Sequence, residues 1–306
     1  MKGSPLHQAR TAFSMIDGIG TSRHKDKEIA IKQGYVTKSD IAKHTLVYSY
    51  ETKEQYINIA IDLLKFAKEQ FKIKDAARLT PEVANAYLKS KIESGISKAS
   101  FDKYASAITK FETAINAFQK QHNLPQISLD TTQARQIAAE TIQKEEVKSR
   151  AYENPQKLIE NIKDNIFRTI AEAQLTGGFR ITELNHISIN NFKDNNVFIV
   201  LQGKGGKDRE IELPADTYKA LLELATKHIN TSNGKFSFNM NEYRQALKEA
   251  AERSGQKYTG THGLRWNAAQ NLYIKASARY GEVKAMEIVS NFLGHTRASI
   301  TQHYLR

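Results

Sequence analysis

The chain has 306 residues, with 45 Lys+Arg against 33 Asp+Glu, a net charge of +12 and no cysteine. That length accommodates two domains that each bury a core, and the basic excess favours polyanionic partners, of which nucleic acid is the commonest large one. Lacking cysteine, the chain excludes disulfides, zinc–thiolate sites and cysteine nucleophiles, and its 40% hydrophobic and 25% charged residues exclude a wholly disordered polymer.

The opening stretch MKGSPLHQARTAF has no apolar core of the secretory kind, and no run reaches the roughly 20 apolar residues that span a bilayer. The sequence therefore predicts a soluble, cytoplasmic protein without a membrane anchor. Residues 1–46 form a basic lead-in with Arg23, His24, Lys25 and Lys27 and no sustained period. It reads equally as an arm touching a phosphate backbone and as a solvated surface segment.

Residues 47–125 carry the strongest helical pattern. Tyr56, Ile59, Leu63, Phe66 and Ala67 recur at helical spacing, and Thr80-Pro81-Glu82 is a helix start with a hydroxyl N-cap, proline and an acid. Phe101, Tyr104, Ile108, Phe111, Ile115 and Phe118 follow at alternating three- and four-residue steps, a stripe that predicts core packing. Lys98, Lys103, Lys110 and Lys120 fall off that stripe. Leu124-Pro125, the polar stretch after it and Asn154-Pro155 mark a linker over 126–154, part of it helical within 131–148.

From 155 a second domain begins. Leu158, Ile159, Ile162, Ile166 and Ile170 predict a helix that stops at Thr176-Gly177-Gly178, where glycine ends the helix and allows close backbone approach. Arg180 follows, at the start of the next helical run, a position suited to gripping phosphate. Residues 197–201 predict a strand, 203–208 a glycine–lysine turn, and 209–214 a return strand of alternating polarity. The turn is not a nucleotide-binding loop, because Leu201 stands where its first glycine belongs and Asp208 where its hydroxyl belongs. Lys204 rides on its tip; a plain basic hairpin is the competing reading. Helices are predicted over 215–228 and 240–254.

The last stretch, residues 260–306, concentrates the chemistry. His262 and Arg265 lie three apart at a helix start, so both fall on one face. Leu293-Gly294-His295 follows a second amphipathic run, and Tyr304 comes nine positions after His295. Arginines neutralise charge at a reacting phosphate, imidazoles donate hydrogen bonds or move protons, and a phenol is a nucleophile. Tyr258, Tyr273 and Tyr280 compete with Tyr304 by residue type, and His186 and His303 read as bystanders.

In their order these motifs resemble those of the tyrosine recombinases, the phage-integrase superfamily. GGFRITEL is similar to the first box, with Arg180 as the first catalytic arginine and Glu183 as its supporting acid. QGKGGKDREIEL resembles the β-hairpin, with Lys204 as catalytic lysine; HGLR gives His262 and Arg265, LGH gives His295, and QHYLR gives Tyr304. The resemblance implies a mainly α fold with a small β-sheet. A helical core-binding domain over 47–125 and a catalytic domain over 155–306, of the DNA-breaking-rejoining fold, would form a C-shaped clamp on DNA. It implies site-specific cleavage and rejoining of DNA through a 3′-phosphotyrosyl intermediate, without cofactor, metal or ATP. The lead-in is unlike the compact Xer type, which favours integration and excision of a mobile element over chromosome-dimer resolution or inversion. Implied partners are double-stranded DNA, a homotetramer on two recombination sites, and accessory DNA-bending proteins. Lys98, Lys103 and Lys110 on the helical domain, with Lys207 and Arg209 on the hairpin, are candidate DNA contacts.

Many relatives carry a further helix or strand after the tyrosine that docks on a neighbouring subunit, whereas this sequence stops at Arg306. On that reading the subunit contacts come from elsewhere, or the sequence is a truncated copy. Two alternatives stay open: a DNA-binding or architectural protein on the same fold without cleavage, and a topoisomerase IB-like or hairpin-forming relative.

Overall fold

The computed structural model describes residues 1–143, 148–201, 203, 208–230, 233–295 and 298–305. The chain divides into two compact units, Met1–Glu145 and Glu146–Arg306. Among the described residues no helix is long and apolar enough to cross a membrane.

Among its described residues the first unit carries the α-helices α1 (Pro5–Ser14), α2 (Arg23–Lys32), α3 (Lys38–Lys43), α4 (Tyr50–Phe71), α5 (Pro81–Glu93), α6 (Lys98–Gln121) and α7 (Thr132–Thr141). Hydroxyl side chains start several of them. Ser49 accepts from Thr52 N in α4, and Thr80 accepts from Val83 N, with Pro81 at the first position of α5. The α6 stripe is buried at Phe101, Ile108, Phe111 and Ile115, against Ile57, Leu63, Leu64 and Ala67 of α4.

The lead-in and the linker both feed this core. Ala9, Ala12, Phe13 and Ile16 are buried in the same cluster, and Phe13 stacks on Phe111 with ring centroids 5.7 Å apart. Burying one such phenylalanine contributes about 1.5–3 kcal/mol, enough to hold a short helix in place. Buried Gln8 ties α1 to the segment that follows α4: its Nε2 donates to Lys74 O at 2.8 Å and its Oε1 accepts from Ala76 N at 2.8 Å. The helical period of α1 escapes the eye because two of its core positions are alanines in a ten-residue run. Likewise Leu129 and, on α7, Ala134 and Ala138 lie in this core, so part of 126–154 belongs to the first unit.

Lys110 requires a correction. It was expected on a DNA-facing surface, yet it is buried, and its Nζ donates to the carbonyls of Ala42 and Thr45 and, at 3.3 Å, to Thr45 Oγ1. Burial pushes its ammonium down to about 8. It serves the carbonyls at the end of α3, which have no helical partner.

The second unit carries α8 (Pro155–Glu160), α9 (Asn165–Gly177), α10 (Ile181–Leu184), β1 (Phe192–Lys193), β2 (Val197–Val200), β3 (Arg209–Glu212), α11 (Ala215–Lys227), β4 (Ile229–Asn230), β5 (Lys235–Phe236), α12 (Met240–Arg253), α13 (His262–Tyr280), α14 (Glu282–Leu293) and α15 (Ala298–Tyr304). Strands β1, β2 and β3 form an antiparallel sheet in that order, with Phe198 opposite Ile211. The expected strands and the helices over 215–228 and 240–254 are present to within a few residues; β1 and the β4–β5 pair are too short to leave a pattern. The core holds Phe179, Phe198, Leu221, Tyr243, Leu247 and Leu264, with Phe179 edge-on to Phe198 at 5.1 Å. α13 packs along α14, and both approach α15.

Candidate active site

The glycine pair at the end of α9 fixes the first corner of the site. Gly178 is left-handed at φ +59°, and a Cβ there would lie 2.6 Å from Phe292 Cε1, so the turn has no room for a side chain. Beneath it, the buried Gln174 Nε2 donates to Phe179 O at 3.2 Å, and the buried Tyr243 hydroxyl donates to Gln174 Oε1 at 2.7 Å. The carbonyl just before Arg180 is thereby held from the core side.

Glu183 is the hub. Arg180 donates to it twice, from its backbone N at 2.8 Å and from Nη1 at 2.6 Å. Arg209 grips the same carboxylate with both Nη atoms, at 2.8 and 2.7 Å, and Arg265 Nη1 lies 4.0 Å from Glu183 Oε2. Burial alone would raise the Glu183 carboxyl, but the hydrogen bonds and charge of Arg209, with the contribution of Arg180, hold it at about 2. Three guanidiniums surround one carboxylate, leaving a net positive pocket.

Arg209 therefore departs from expectation. Placed among the DNA contacts of the hairpin, it turns inward, with its side chain 9% exposed. It passes against Gly294, where an added Cβ would lie 3.2 Å from Arg209 Cδ. The alternation of β3 carried the signal: Arg209, Ile211 and Leu213 share one face, and both aliphatic residues are buried. Lys204 and Lys207 lie outside the described residues. Lys103 is exposed, and Lys98 pairs with Asp102 on α6.

Arg265 is wholly buried. Its Nη1 donates to Gly178 O and its Nη2 to Leu293 O at 2.6 Å, so it serves carbonyls at the C-terminal ends of both α9 and α14. A cation there also meets the negative ends of two helix dipoles. Burial, and next the neighbouring Arg180, push its guanidinium down to about 10, which leaves it charged near neutrality. His262 opens α13 one turn earlier, with Nδ1 buried. The start of that helix is stitched to the entry of the unit: Asn267 Oδ1 accepts from Tyr152 N at 2.9 Å, and its Nδ2 donates to Tyr152 O at 2.8 Å.

The phenol of Tyr304 closes the site. Its ring lies 5.2 Å from that of His295 and 5.2 Å from that of Trp266, with Arg265 Cζ 5.8 Å from its centroid. Among the described tyrosines it is the one with a ring contact to both Arg265 and His295. Tyr280 is exposed at the end of α13, and His303 faces outward. His295 Nε2 lies 3.4 Å from Arg265 Nη2, and its Nδ1 lies 2.9 Å from Thr301 Oγ1. The structure thus gathers Arg180, Glu183, Arg265, His295 and Tyr304. The sequence reading missed Gln174, Tyr243, Trp266 and Thr301; Thr301 alone had a visible signal, standing one turn before Tyr304. The buried Arg265 guanidinium lies over the Tyr304 ring, so an anion reaching it would meet cation and phenol together.

Comparison with known proteins bears on the family and the fold. No curated protein matches the chain. Among solved structures, a lambda integrase dimer bound to a COC′ core site superposes with a TM-score of 0.56 at 17% identity, covering 92% of this chain and 93% of that one. A lambda integrase tetramer bound to a Holliday junction gives 0.57 at 16% identity, over 92% of this chain and 76% of that one. The Tn1549 transposon integrase in complex with transposon right end DNA gives 0.54 at 13% identity, over 94% and 95%. These likenesses show a shared fold. The model of the phage integrase family matches residues 140–306, more than half of the sequence and all the motifs above, so the chain belongs to the phage integrase family.

Proposed function

We propose that this protein is a site-specific DNA recombinase that cleaves and rejoins DNA through a 3′-phosphotyrosyl intermediate, serving integration and excision of a mobile element. The observation that carries the proposal is the docking of the Tyr304 ring against Arg265 and His295 of the same chain. Tyr304 oxygen attacks the scissile phosphate in line, forming the tyrosyl–phosphorus bond as the bond to the 5′-oxygen breaks. Lys204 gives its proton to that departing oxygen, and His262 assists transfer of the proton leaving the phenol. Arg180 and Arg265 clamp the non-bridging oxygens, a fork that matches phosphate geometry, and His295 donates a hydrogen bond to one of them. The covalent bond conserves the phosphodiester's energy, so rejoining is the reverse attack by a 5′-hydroxyl and needs no ATP.

Double-stranded DNA is the substrate, bound largely through phosphate contacts that include Lys98, Lys103 and Lys207. Lambda integrase, whose fold this chain shares, is described as a tetramer on a Holliday junction and a dimer on a core site; we extend a tetramer on two sites, with accessory bending proteins, to this chain. The test uses a duplex with a candidate site nicked near the cleavage position, so that cleavage becomes irreversible. The expected product is a denaturant-resistant protein–DNA adduct, lost in Tyr304→Phe with DNA binding retained. Tight binding without an adduct would replace this reading with that of a non-cleaving DNA-binding protein.

A further inference from the structure

We propose that Thr301 is a positioning residue. It orients His295 through Nδ1 and makes that histidine's competence depend on the docking of the helix that carries Tyr304; the inference rests on the recombinase reading above. Thr301 is a polar side chain with no exposed surface, and its Oγ1 lies 2.9 Å from His295 Nδ1. On the other edge of the ring, Nε2 lies 3.4 Å from Arg265 Nη2. A guanidinium only donates, so here Nε2 accepts, the ring proton sits on Nδ1, and Nδ1 donates to Thr301.

A phosphate oxygen at Nε2 requires that nitrogen to donate, which in the neutral ring is the opposite tautomer, with Nδ1 accepting. A hydroxyl serves both arrangements, because it accepts in the first and donates in the second. Thr301 therefore keeps the ring anchored while the proton changes nitrogen. Thr301 and Tyr304 lie one turn apart on α15. A displacement of α15 that withdraws the phenol also removes the hydroxyl, so nucleophile and histidine are enabled together.

Two near-isosteric variants separate orientation from packing. Thr301→Val keeps the methyl and removes the hydroxyl; Thr301→Ser does the reverse. The first readout is the ring ¹⁵N shifts of His295 in the full chain, assigned by their loss in His295→Asn. Wild type and Thr301→Ser are expected to show the proton on Nδ1, and Thr301→Val a mixture of tautomers. The second is the rate of adduct formation on the nicked duplex, expected to fall at least about tenfold in Thr301→Val and to stay close to wild type in Thr301→Ser. DNA affinity and Trp266 emission are expected to be unchanged in both. A valine variant as fast as wild type, or a serine variant as slow as the valine one, overturns the proposal in favour of simple packing. Changed Trp266 emission in Thr301→Val overturns it too, since α15 would then have undocked. Should wild type bind yet form no adduct, the recombinase reading fails and the ¹⁵N shifts decide alone: unaltered shifts in Thr301→Val overturn the contact.

Discussion

Arg209 and Glu183 form a two-pronged ion pair, Nη1 to Oε1 at 2.8 Å and Nη2 to Oε2 at 2.7 Å, with both side chains below one tenth exposed. A guanidinium committed in this way is held in the interior beside Arg180 and Arg265, with both Nη atoms occupied by the carboxylate. Breaking a buried pair by removing one partner costs about 3–5 kcal/mol, because the other charge is left uncompensated. Arg209→Ala is therefore expected to lower unfolding stability by about that amount in urea titration. Its effect on DNA is the discriminating measurement. A lost phosphate contact reduces the slope of log affinity against log salt by about 0.9, whereas Arg209→Ala is expected to leave the slope unchanged.

The same pair gives the fold an acid-sensitive point. Glu183 sits at about 2 in the folded chain against an ordinary value of 4.5. A depressed carboxylate contributes stability that is complete above the unfolded value and lost as pH falls through the folded one. Between pH 4.5 and about 2, wild type should lose on the order of 3 kcal/mol through this group, and Glu183→Gln should show a correspondingly shallower decline. Parallel urea unfolding series across that range check the difference in slope.

Lys110 is expected to behave as a core residue. Lys110→Met removes the ammonium donor from the Ala42 carbonyl and from the buried Thr45 carbonyl, a loss of about 1–3 kcal/mol. Its DNA salt slope should equal that of wild type, while that of Lys103→Met, at an exposed position, should fall. Equal slopes in both variants would remove α6 from the DNA-facing surface.

Trp266 is the chain's single tryptophan, and it lies against the Tyr304 ring. Its emission is thus a reporter of α15. Tyr304→Phe, which keeps the ring, should preserve the wild-type spectrum, and Tyr304→Ala should shift it to the red as water reaches the indole. Because Tyr304 covers Arg265, a phosphate reaching that guanidinium has to share or displace the phenol. Stopped-flow mixing with site DNA is therefore expected to change Trp266 emission no later than the covalent adduct appears.

Much of this was legible in the sequence where chemistry and periodicity coincide. The stripe from Phe101 to Phe118 and the stop at Gly177-Gly178 each combine a spacing with a residue type suited to it, and the order Arg180, Arg265, His295, Tyr304 names side chains that the structure brings together. Charge misled where it was read without direction. Lys110 and Arg209 are cations on elements whose neighbouring positions face the core, and what turned them inward was an acceptor distant in sequence: the Ala42 and Thr45 carbonyls for one, Glu183 for the other. Helix α1 was missed for the converse reason, since alanine at Ala9 and Ala12 fills a close helix–helix contact while contributing little apolar signal. Gln174 and Tyr243 were invisible because a buried amide bonded to a phenol leaves no local pattern.

Arg265 holds the ends of two helices and also lies over the Tyr304 ring, and under the proposed function that double duty shapes how such a protein can decay. A lineage relieved of the need to cut DNA could lose the Tyr304 hydroxyl and remain folded, since the phenylalanine ring would still rest on its neighbours. It could not lose Arg265 as freely, because the carbonyls of Gly178 and Leu293 would be stranded in the interior. Silent copies of this chain should accordingly keep the arginine long after the tyrosine has drifted, and its presence in a relative testifies to an intact fold before it testifies to a working enzyme.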